Sequence, residues 1–433
     1  MARCQALAFP QGNRGTITGT VSESTAGASR SPLTPYQRKL FLFLSVATFF
    51  EGYDFMALSQ ILPQLRTSMA LDEPTIGGMV TVINVGTVLA FALVGLADRW
   101  GRKKLLTLTI VGYTVTTFLT GLTTSLLTFT AMQLLARMFL IAEWATSMVY
   151  AAEEFPADRR GMVIGVIQAF SSFGAIACAG VVPVLLKASY GWRTVYFVGI
   201  IPLVILMIAR RGLRESSRFV ESQARSEKRS FMRIWSTPYR GRVLLLALVW
   251  GLAYLSMNNA TLFWKEFAVT ERHLTDAEVG TAIGIAAVLS MPLVFFAGKL
   301  LDTIGRKRGA VVIFLTGVLG ILGAYGLHGV VPLALALVLA IFGASAFMPV
   351  LNAFTAELFP TELRADAFAW SNNLLGRFTY VFSPYALGLA AHSIGWGRAM
   401  QFTTVGPVLA LVVILVSFPE TNARELDDPT LLH

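Results

Sequence analysis

The 433-residue chain is 55% hydrophobic and only 14% charged, a composition that excludes a set of soluble globular domains. Its mean hydropathy of +0.63 indicates instead a protein that crosses a membrane many times. A formal net charge of +10 would suggest a nucleic-acid partner for a soluble protein. Here the basic residues occur in short segments between apolar runs, so membrane topology explains them and no nucleic-acid partner is expected. The two cysteines, Cys4 and Cys178, imply no disulfide framework.

The chain begins with a polar segment, residues 1–35, which is rich in Ser, Thr and Gly and is predicted to be a disordered cytoplasmic tail. Twelve apolar runs follow, and they do not show the alternating segments of about ten residues that are typical of membrane barrels. The sequence therefore predicts an all-α membrane protein with twelve transmembrane helices. The predicted helices lie at roughly 40–65, 76–97, 105–125, 127–152, 161–186, 193–212, 243–268, 279–301, 309–327, 331–355, 366–391 and 398–418.

A longer basic segment, residues 213–240, separates the sixth apolar run from the seventh. It is predicted to be a cytoplasmic loop between an N-terminal six-helix bundle at 36–212 and a C-terminal six-helix bundle at 241–420, with a short cytoplasmic tail at 421–433. Other basic clusters, such as that at 306–308, fall on the same predicted side of the membrane. The positive-inside rule therefore places both termini in the cytoplasm.

The two predicted bundles repeat a set of landmarks at a constant offset of 204 residues, as from Asp98 to Asp302. Glu153 corresponds to Glu357 at the same offset. One spacing held across separate landmarks indicates an internal duplication. Bundles duplicated in this way bind their solute near the bilayer midplane between the two halves, so we expect the functional site there.

Two acidic residues, Glu51 and Asp54, lie three positions apart in the first apolar run and therefore on one face of the predicted helix. Glu51 is about 16 Å from Leu40, near the start of the run, which places it near the midplane. A carboxylate costs several kcal/mol at that depth, so it is kept where it faces a cavity and has a partner or a function. We predict a proton-binding site. For Glu51 the competing interpretation is a neutral acid hydrogen-bonded within the bundle.

The fourth run adds two ionisable residues, Arg137 and Glu143. A guanidinium group keeps its charge, so Arg137 needs an anion nearby, and Asp54 and Glu143 are the two candidates. Protonation of the carboxylate would weaken its hold on the cation and lower the cost of exposing the site to the other side. The predicted proton-coupling residues are therefore Asp54, Glu51, Arg137 and Glu143.

Several motifs resemble those of the major facilitator superfamily. ADRWGRK at 97–103 is similar to the signature loop between the second and third helices, and GKLLDTIGRK at 298–307 is its counterpart in the second half. PET at 419–421 resembles the closing motif of sugar-porter-like members, and the Glu-Gly-Tyr-Asp element at 51–54 resembles that of bacterial metabolite:proton and aromatic-acid:proton symporters. The resemblance covers roughly residues 36–428 and implies transport by alternating access.

The resemblance also implies a pair between Asp54 and the arginine of the fourth helix. In this chain Gln133 occupies the usual position of that arginine, and Arg137 lies one turn away. Gln168 lies eight residues after Arg160, a spacing that resembles the substrate-contacting glutamine of sugar porters.

Charged residues at the ends of predicted helices are expected to latch the two halves together in one state and release them in the other. Exposed ion pairs are each worth only ~0–1 kcal/mol, so such a latch must act as a network. The alternative is that the basic members only hold their loops in the cytoplasm. The predicted gating residues are Asp98, Arg99, Arg102, Glu153, Arg160, Asp302, Arg306, Glu357 and Arg364.

The second half has amides and apolar residues where the first half has charges: Asp54 corresponds to Asn258, and Arg137 corresponds to Ile341. This division favours proton binding in the first half and solute binding in the second. Arg377 is predicted to bind a carboxylate of the solute. The predicted solute contacts are Tyr53, Gln168, Asn258, Asn259, Asn372, Asn373, Arg377 and Trp370.

The sequence predicts a proton-coupled importer of a small organic metabolite, such as an organic or aromatic acid, in the plasma membrane or the inner membrane of a bacterium. A proton-driven exporter is the nearest alternative, although GAIACAGVVP at 174–183 lacks the Gly-Pro-rich pattern of exporters. A transporter-like sensor is a further alternative. No nucleotide-binding loop, metal-ligand spacing or nucleophile beside a base is found, so no enzyme activity, cofactor or metal is expected. The expected partners are the solute, protons and the bilayer, and a monomer suffices.

Overall fold

The structure is a computed structural model that describes residues 33–95, 100–156, 160–209, 214 and 232–421. Within these ranges the side chains of 160–161, 201–203, 205–209 and 295 are not described. The first six long helices are α1 (Pro35–Met69), α2 (Glu73–Val94), α3 (Arg102–Leu122), α4 (Leu126–Glu154), α5 (Arg160–Leu185) and α6 (Arg193–Ala209). The next four are α7 (Arg240–Leu262), α8 (Asp276–Ile304), α9 (Arg306–Gly326) and α10 (Val330–Glu357).

The last two long helices are irregular. α11 consists of Arg364–Phe368, a π-helical stretch at Ala369–Gly376, and Arg377–Ile394. α12 spans Trp396–Ser417. A short helix, Trp264–Thr270, follows α7.

Helices occupy all twelve predicted positions, and ten of them are long and apolar enough to cross a membrane. The two others differ for local reasons, because α6 has 17 residues and α11 is interrupted by its π-helical stretch. No strand occurs in the ranges that the structure covers. The predicted all-α membrane architecture is therefore confirmed.

Short polar sequences begin several of these helices. Thr34 and Gln37 form a capping box at α1, and Thr275 and Glu278 form another at α8. Asp72 caps α2 by accepting a hydrogen bond from the Thr75 amide at 3.0 Å. These caps satisfy amide groups that have no partner within the helix, so they mark where the apolar runs enter the bilayer.

The outside of the bundle is apolar. Leu127 and Val416 are each 80% exposed, and Val184 and Val331 are each 68% exposed. An apolar surface this extensive would be a liability in water and is the surface that lipid chains cover. The exposed side chains thus agree with the apolar spans in indicating a multi-pass membrane protein.

Within the first half, α1 packs closely along α5. A Cβ atom at Gly52 would overlap the backbone carbonyl of Ser171, and one at Gly174 would overlap that of Phe49. Only glycine permits the two backbones to approach this closely. This crossing fixes the position of Glu51, the neighbour of Gly52, against α5.

The two halves meet most extensively along two pairs of helices, α2 with α11 and α5 with α8, and α1 also contacts the short helix Trp264–Thr270. The Asn84 side chain donates a hydrogen bond to the carbonyl of Tyr380 at 3.4 Å, and the Tyr385 amide donates to Thr81 at 3.1 Å. These contacts form two walls, and the space between them is enclosed by both halves.

Candidate functional site

A cavity of about 520 Å³ lies between the two halves. Its wall is built from α1, α5, α8 and α10, with Thr261 at the end of α7. We call this space the central cavity. It is lined by Glu51, Gly52, Phe55, Met56, Gly165, Gln168, Ala169, Ser171, Ser172, Ala175, Thr261, Ala287, Ser290, Met291, Val294, Ile341 and Ser345.

The wall combines apolar side chains with a small number of polar groups, as is typical of small-molecule sites. Glu51 is the acidic group on this wall, and Ser171, Ser290 and Ser345 add hydroxyl groups. The predicted contact Gln168 also lies on the wall, where its Nε2 atom is 3.7 Å from the sulfur of Met148. The cavity is therefore large enough for a small organic molecule and carries hydrogen-bonding groups to orient it.

Arg137 and Glu143 lie behind this wall, on α4. Both side chains are buried, and the Glu143 carboxylate accepts a hydrogen bond from Ser147 at 2.8 Å. The Arg137 guanidinium lies over the ring of Phe55, with its carbon 4.7 Å from the ring centroid. Phe55 lines the central cavity, so the ring separates this cation from the solute space.

Among the described residues, no carboxylate oxygen lies within 4.0 Å of Arg137. The cation nevertheless interacts electrostatically with both Glu51 and Asp54. The predicted direct pair with Asp54 is therefore not formed in this conformer, and neither is the alternative pair with Glu143. The Arg137 guanidinium stacks on the Phe55 ring instead of contacting either carboxylate.

Asp54 and Tyr53 do not line the central cavity. They line a separate, small cavity together with Tyr113 and Tyr196. The three-residue spacing from Glu51 puts Asp54 on the adjacent part of the helix surface, and this turns its carboxyl group towards α3 and α6 rather than towards the solute space. Tyr53, predicted to contact the solute, is therefore placed beside the proton-coupling residues.

Five of the predicted solute contacts in the second half are not among the residues that line the central cavity. The buried Asn259 donates a hydrogen bond to Ser383 at 2.8 Å, which ties α7 to α11. Asn372 accepts one from Tyr254 at 2.9 Å, which also links these two helices. Trp370 packs against Trp235, with ring centroids 5.1 Å apart. Asn258 and Asn373 are partly buried and are not among the residues that line the central cavity.

Arg377 lies at the contact between α2 and α11. Its guanidinium carbon is 5.4 Å from the ring centroid of Phe91 and 5.4 Å from that of Tyr380. Its Nε atom is buried and has no hydrogen-bond partner in the described part of the chain. An unpartnered N–H of a cation is costly to bury, so this group is suited to receive an anionic oxygen.

Most of the predicted gating residues gather at one end of the bundle, which we call the loop-motif end and define by Arg102, Glu153, Arg306 and Glu357. Arg102 pairs with Glu153 at 3.1 Å, and Arg306 pairs with Glu357 at 2.9 Å. Each pair lies within one half. Among the described side chains, these ion pairs therefore stabilise the two halves separately and do not latch one to the other.

The remaining gating residues are placed as follows. Asp302 pairs with Arg306 at 2.7 Å, also within the second half. The Arg364 guanidinium donates to the carbonyl of Phe359 at 3.1 Å. Asp98 and Arg99 lie outside the described residues, as does the side chain of Arg160.

At the other end, which we call the opposite end and define by Arg66, Glu73, Glu266 and His392, ion pairs join the two halves. Arg66 of α1 pairs with Glu266, after α7, at 2.9 Å, and it also pairs with Glu73. Glu73 of α2 is 3.2 Å from the ring of His392 on α11. The halves are thus held together at this end.

The opposite-end residues, the serines of the cavity wall and Tyr113 are not among the residues that the sequence predicts for the site. The opposite-end ion pairs could have been suspected from the sequence, because acidic and basic residues flank the predicted spans there. The serines and Tyr113 carry no such signal, because both residue types are ordinary in membrane helices. In the described ranges, His, Cys, Asp and Glu do not form a metal-binding cluster of three or more.

The chain is similar in sequence to bacterial transporters of small organic acids. The chain is 24% identical over 427 residues to a gallate transporter of Pseudomonas putida, which covers 91% of this chain and 94% of the relative. It is 24% identical over 397 residues to a sialic acid transporter of Escherichia coli, which covers 89% of this chain and 95% of the relative.

The fold agrees with that of a solved structure. The inward-open xylose transporter XylE of E. coli superposes with a TM-score of 0.75 over 90% of this chain and 98% of its own, at 19% sequence identity. The family model described as Major Facilitator Superfamily matches residues 44–267 and 246–430. The protein is thus a multi-pass membrane transporter and not an enzyme, and it belongs to the major facilitator superfamily.

Proposed function

We propose that the protein imports a small organic acid together with protons, by exposing the central cavity alternately to the two sides of the membrane. The observation that carries the proposal is the position of Glu51. Its carboxylate lies on the wall of the central cavity, in the middle of α1, and one of its oxygens is buried without a hydrogen-bond partner among the described residues. A carboxylate in such a place binds a proton when the cavity is exposed and releases it when its surroundings change.

Two observations support an anionic solute. Sialic acid and gallate, named for two relatives, both carry a carboxylate. Arg377 offers a buried N–H group without a partner in the described chain, at the contact between the two halves. A solute carboxylate that reaches Arg377 would satisfy this group and would draw α2 and α11 together.

The orientation is part of the proposal. By the positive-inside rule, the loop-motif end and both termini lie in the cytoplasm. The proposal also includes twelve membrane crossings, arranged as two six-helix bundles. The ion pairs of Arg66 and Glu73 then close the outer end, and the cavity extends along α5 to Gly165, near the cytoplasmic end of that helix. In this scheme the conformer is inward-facing.

Purified protein in liposomes tests the proposal. An inward-directed proton gradient should drive accumulation of an aromatic or sugar acid, and a protonophore should abolish it, while neutral sugars of similar size should not accumulate. Accumulation that is insensitive to the protonophore would contradict proton coupling. Filling of everted vesicles by a proton gradient directed out of them would instead favour the exporter.

A further inference from the structure

We propose that Tyr113 and two internal water sites form a proton route between Asp54 and the central cavity. The proposal rests on the proposed function and adds the path by which its protons move. Tyr113 lies in the middle of α3, its side chain is buried, and it belongs to neither the solute site nor the ion-pair networks.

The first water site is the small cavity beside Asp54. Its volume is about 10 Å³, close to the minimum that holds one water molecule. Tyr53 and Tyr196 line it, and the hydroxyl groups of both are buried without a hydrogen-bond partner in the described chain. Since buried polar groups normally bond to protein or to ordered water, a water molecule that reaches both hydroxyls and the Asp54 carboxyl group would satisfy them together.

The second water site lies between α1, α3 and α4. It also has a volume of about 10 Å³, and it is lined by Glu51, Glu143 and Tyr113 among apolar residues. The Oε2 atom of Glu51 is buried and has no hydrogen-bond partner in the described part of the protein. Glu51 lines the central cavity as well, so this water site is separated from the solute space by one carboxyl group.

Tyr113 joins the two sites because its side chain lines both of them. It also interacts with the Asp54 carboxyl group, while the positive charge of Arg137 acts on Asp54, Glu51 and Tyr113 alike. A phenol hydroxyl accepts one hydrogen bond and donates another at the same time. One phenol hydroxyl can therefore hydrogen-bond to a water molecule in each of the two sites.

The transfer is balanced at every atom. The proton of Asp54 passes to the first water, which gives one of its own protons to the Tyr113 hydroxyl. The hydroxyl releases its original proton to the second water, and that water protonates Glu51. The two water oxygens and the Tyr113 hydroxyl end with the number of protons with which they began, Asp54 has lost one proton, and Glu51 has gained one.

Tyr113→Phe tests the route, because it removes the hydroxyl and keeps the ring. Uphill, proton-driven uptake into liposomes should slow at least tenfold, while solute counterflow, which needs no net proton movement, should stay within about twofold of wild type. Tyr325→Phe is the matched control, since it removes a buried hydroxyl that bonds to the Ala260 carbonyl within the second half and lines neither water site. It should leave both rates unchanged.

Uphill uptake by Tyr113→Phe at the wild-type rate would overturn the route. Loss of counterflow together with uptake would also overturn it, because Tyr113 would then be a structural or solute-binding residue. If Asp54→Asn also accumulates solute normally, the proposed function itself fails, and this separates the two claims.

A second variant keeps every polar group and fills the water site instead. Ala47 lines the cavity beside Glu51, so Ala47→Val should occupy its volume and slow uphill uptake in the same way, with counterflow retained. An experimental structure of the wild type that resolves ordered water elsewhere in the bundle but none beside Asp54 or Glu51 would contradict the proposal.

Discussion

The two halves of the protein share a repeated sequence pattern but differ in the chemistry at the middle of the membrane. In the first half, Glu51, Asp54, Arg137 and Glu143 gather around α1 and α4. In the second half, the residue at the position of Glu143 is Phe347, which packs on Trp250 and Tyr254 with ring centroids 6.1 and 5.7 Å apart. A duplicated scaffold therefore need not duplicate its site: the middle of one half carries ionisable groups, while the middle of the other is tightly packed.

This difference predicts that the second half depends more on packing. Phe347 is 1% exposed and lies inside the aromatic cluster of α7 and α10. Phe347→Ala should lower the free energy of unfolding by about 3–5 kcal/mol, because it leaves a cavity among rings that cannot close on it. Thermal unfolding in detergent measures the loss.

The control for this prediction is Phe378→Ala, since that ring is 64% exposed to the lipid side. It should change the unfolding temperature far less. Equal losses for the two variants would show that the aromatic cluster is not the packing centre of the second half.

The first half should instead depend on its charges. Arg137→Gln removes the cation that interacts with Glu51 and Asp54. Counterflow and uphill uptake should both fall about 100-fold, equivalent to about 2.7 kcal/mol, because buried carboxylates lose their compensating charge. Ile341→Gln, at the corresponding position of the second half, is the control: since Ile341 lines the central cavity, the variant should change KM but leave uphill driving intact. Equal effects at the two positions would remove the distinction between the halves.

Arg377 is the exception in the second half, and its contribution should be to solute affinity. Arg377→Lys keeps the positive charge but loses the planar guanidinium that stacks between Phe91 and Tyr380. KM for a carboxylate solute should rise about tenfold with kcat nearly unchanged, which corresponds to about 1.4 kcal/mol. A similar rise for an uncharged analogue would show that Arg377 does not bind the carboxylate.

The smallest expected effect concerns the opposite end, where charges of the two halves meet. Glu266→Gln removes the ion pair with Arg66, but Arg66 keeps its pair with Glu73, so the outer closure should weaken by only about 1 kcal/mol. Labelling of Ser59→Cys, introduced in a background without Cys4 and Cys178, should accelerate about fivefold with a membrane-impermeant maleimide. Asp276→Asn is the control, because its pair with Lys265 at 2.7 Å stays within the second half. Unchanged labelling in Glu266→Gln would show that this ion pair does not hold the outer end closed.

Residues that stand out against an apolar background could be predicted from the sequence. Glu51 was found because a carboxylate in an apolar run is rare and costly. The twelve helical positions are predictable because a long apolar run that crosses a bilayer has to form a helix to satisfy its backbone hydrogen bonds.

Residues whose role depends on a distant partner could not be predicted. Asn259 was assigned to the solute, but it bonds to Ser383, 124 residues away. Arg66 and Glu266 meet across 200 residues. No local pattern encodes such contacts, because they are decided by how the helices pack. The π-helical stretch of α11 is likewise invisible in composition, although it determines where Asn372 and Trp370 point.

The most direct test of the account follows protons and solute in the same liposomes. With a pH-sensitive dye inside, addition of solute should acidify the lumen of wild-type vesicles as solute enters. In Asp54→Asn vesicles, labelled solute should still exchange, while the acidification disappears; Asp366→Asn, outside the acidic cluster, should behave as wild type. Acidification by Asp54→Asn at the wild-type ratio of protons to solute would contradict the claim that the acids of α1 couple the two movements.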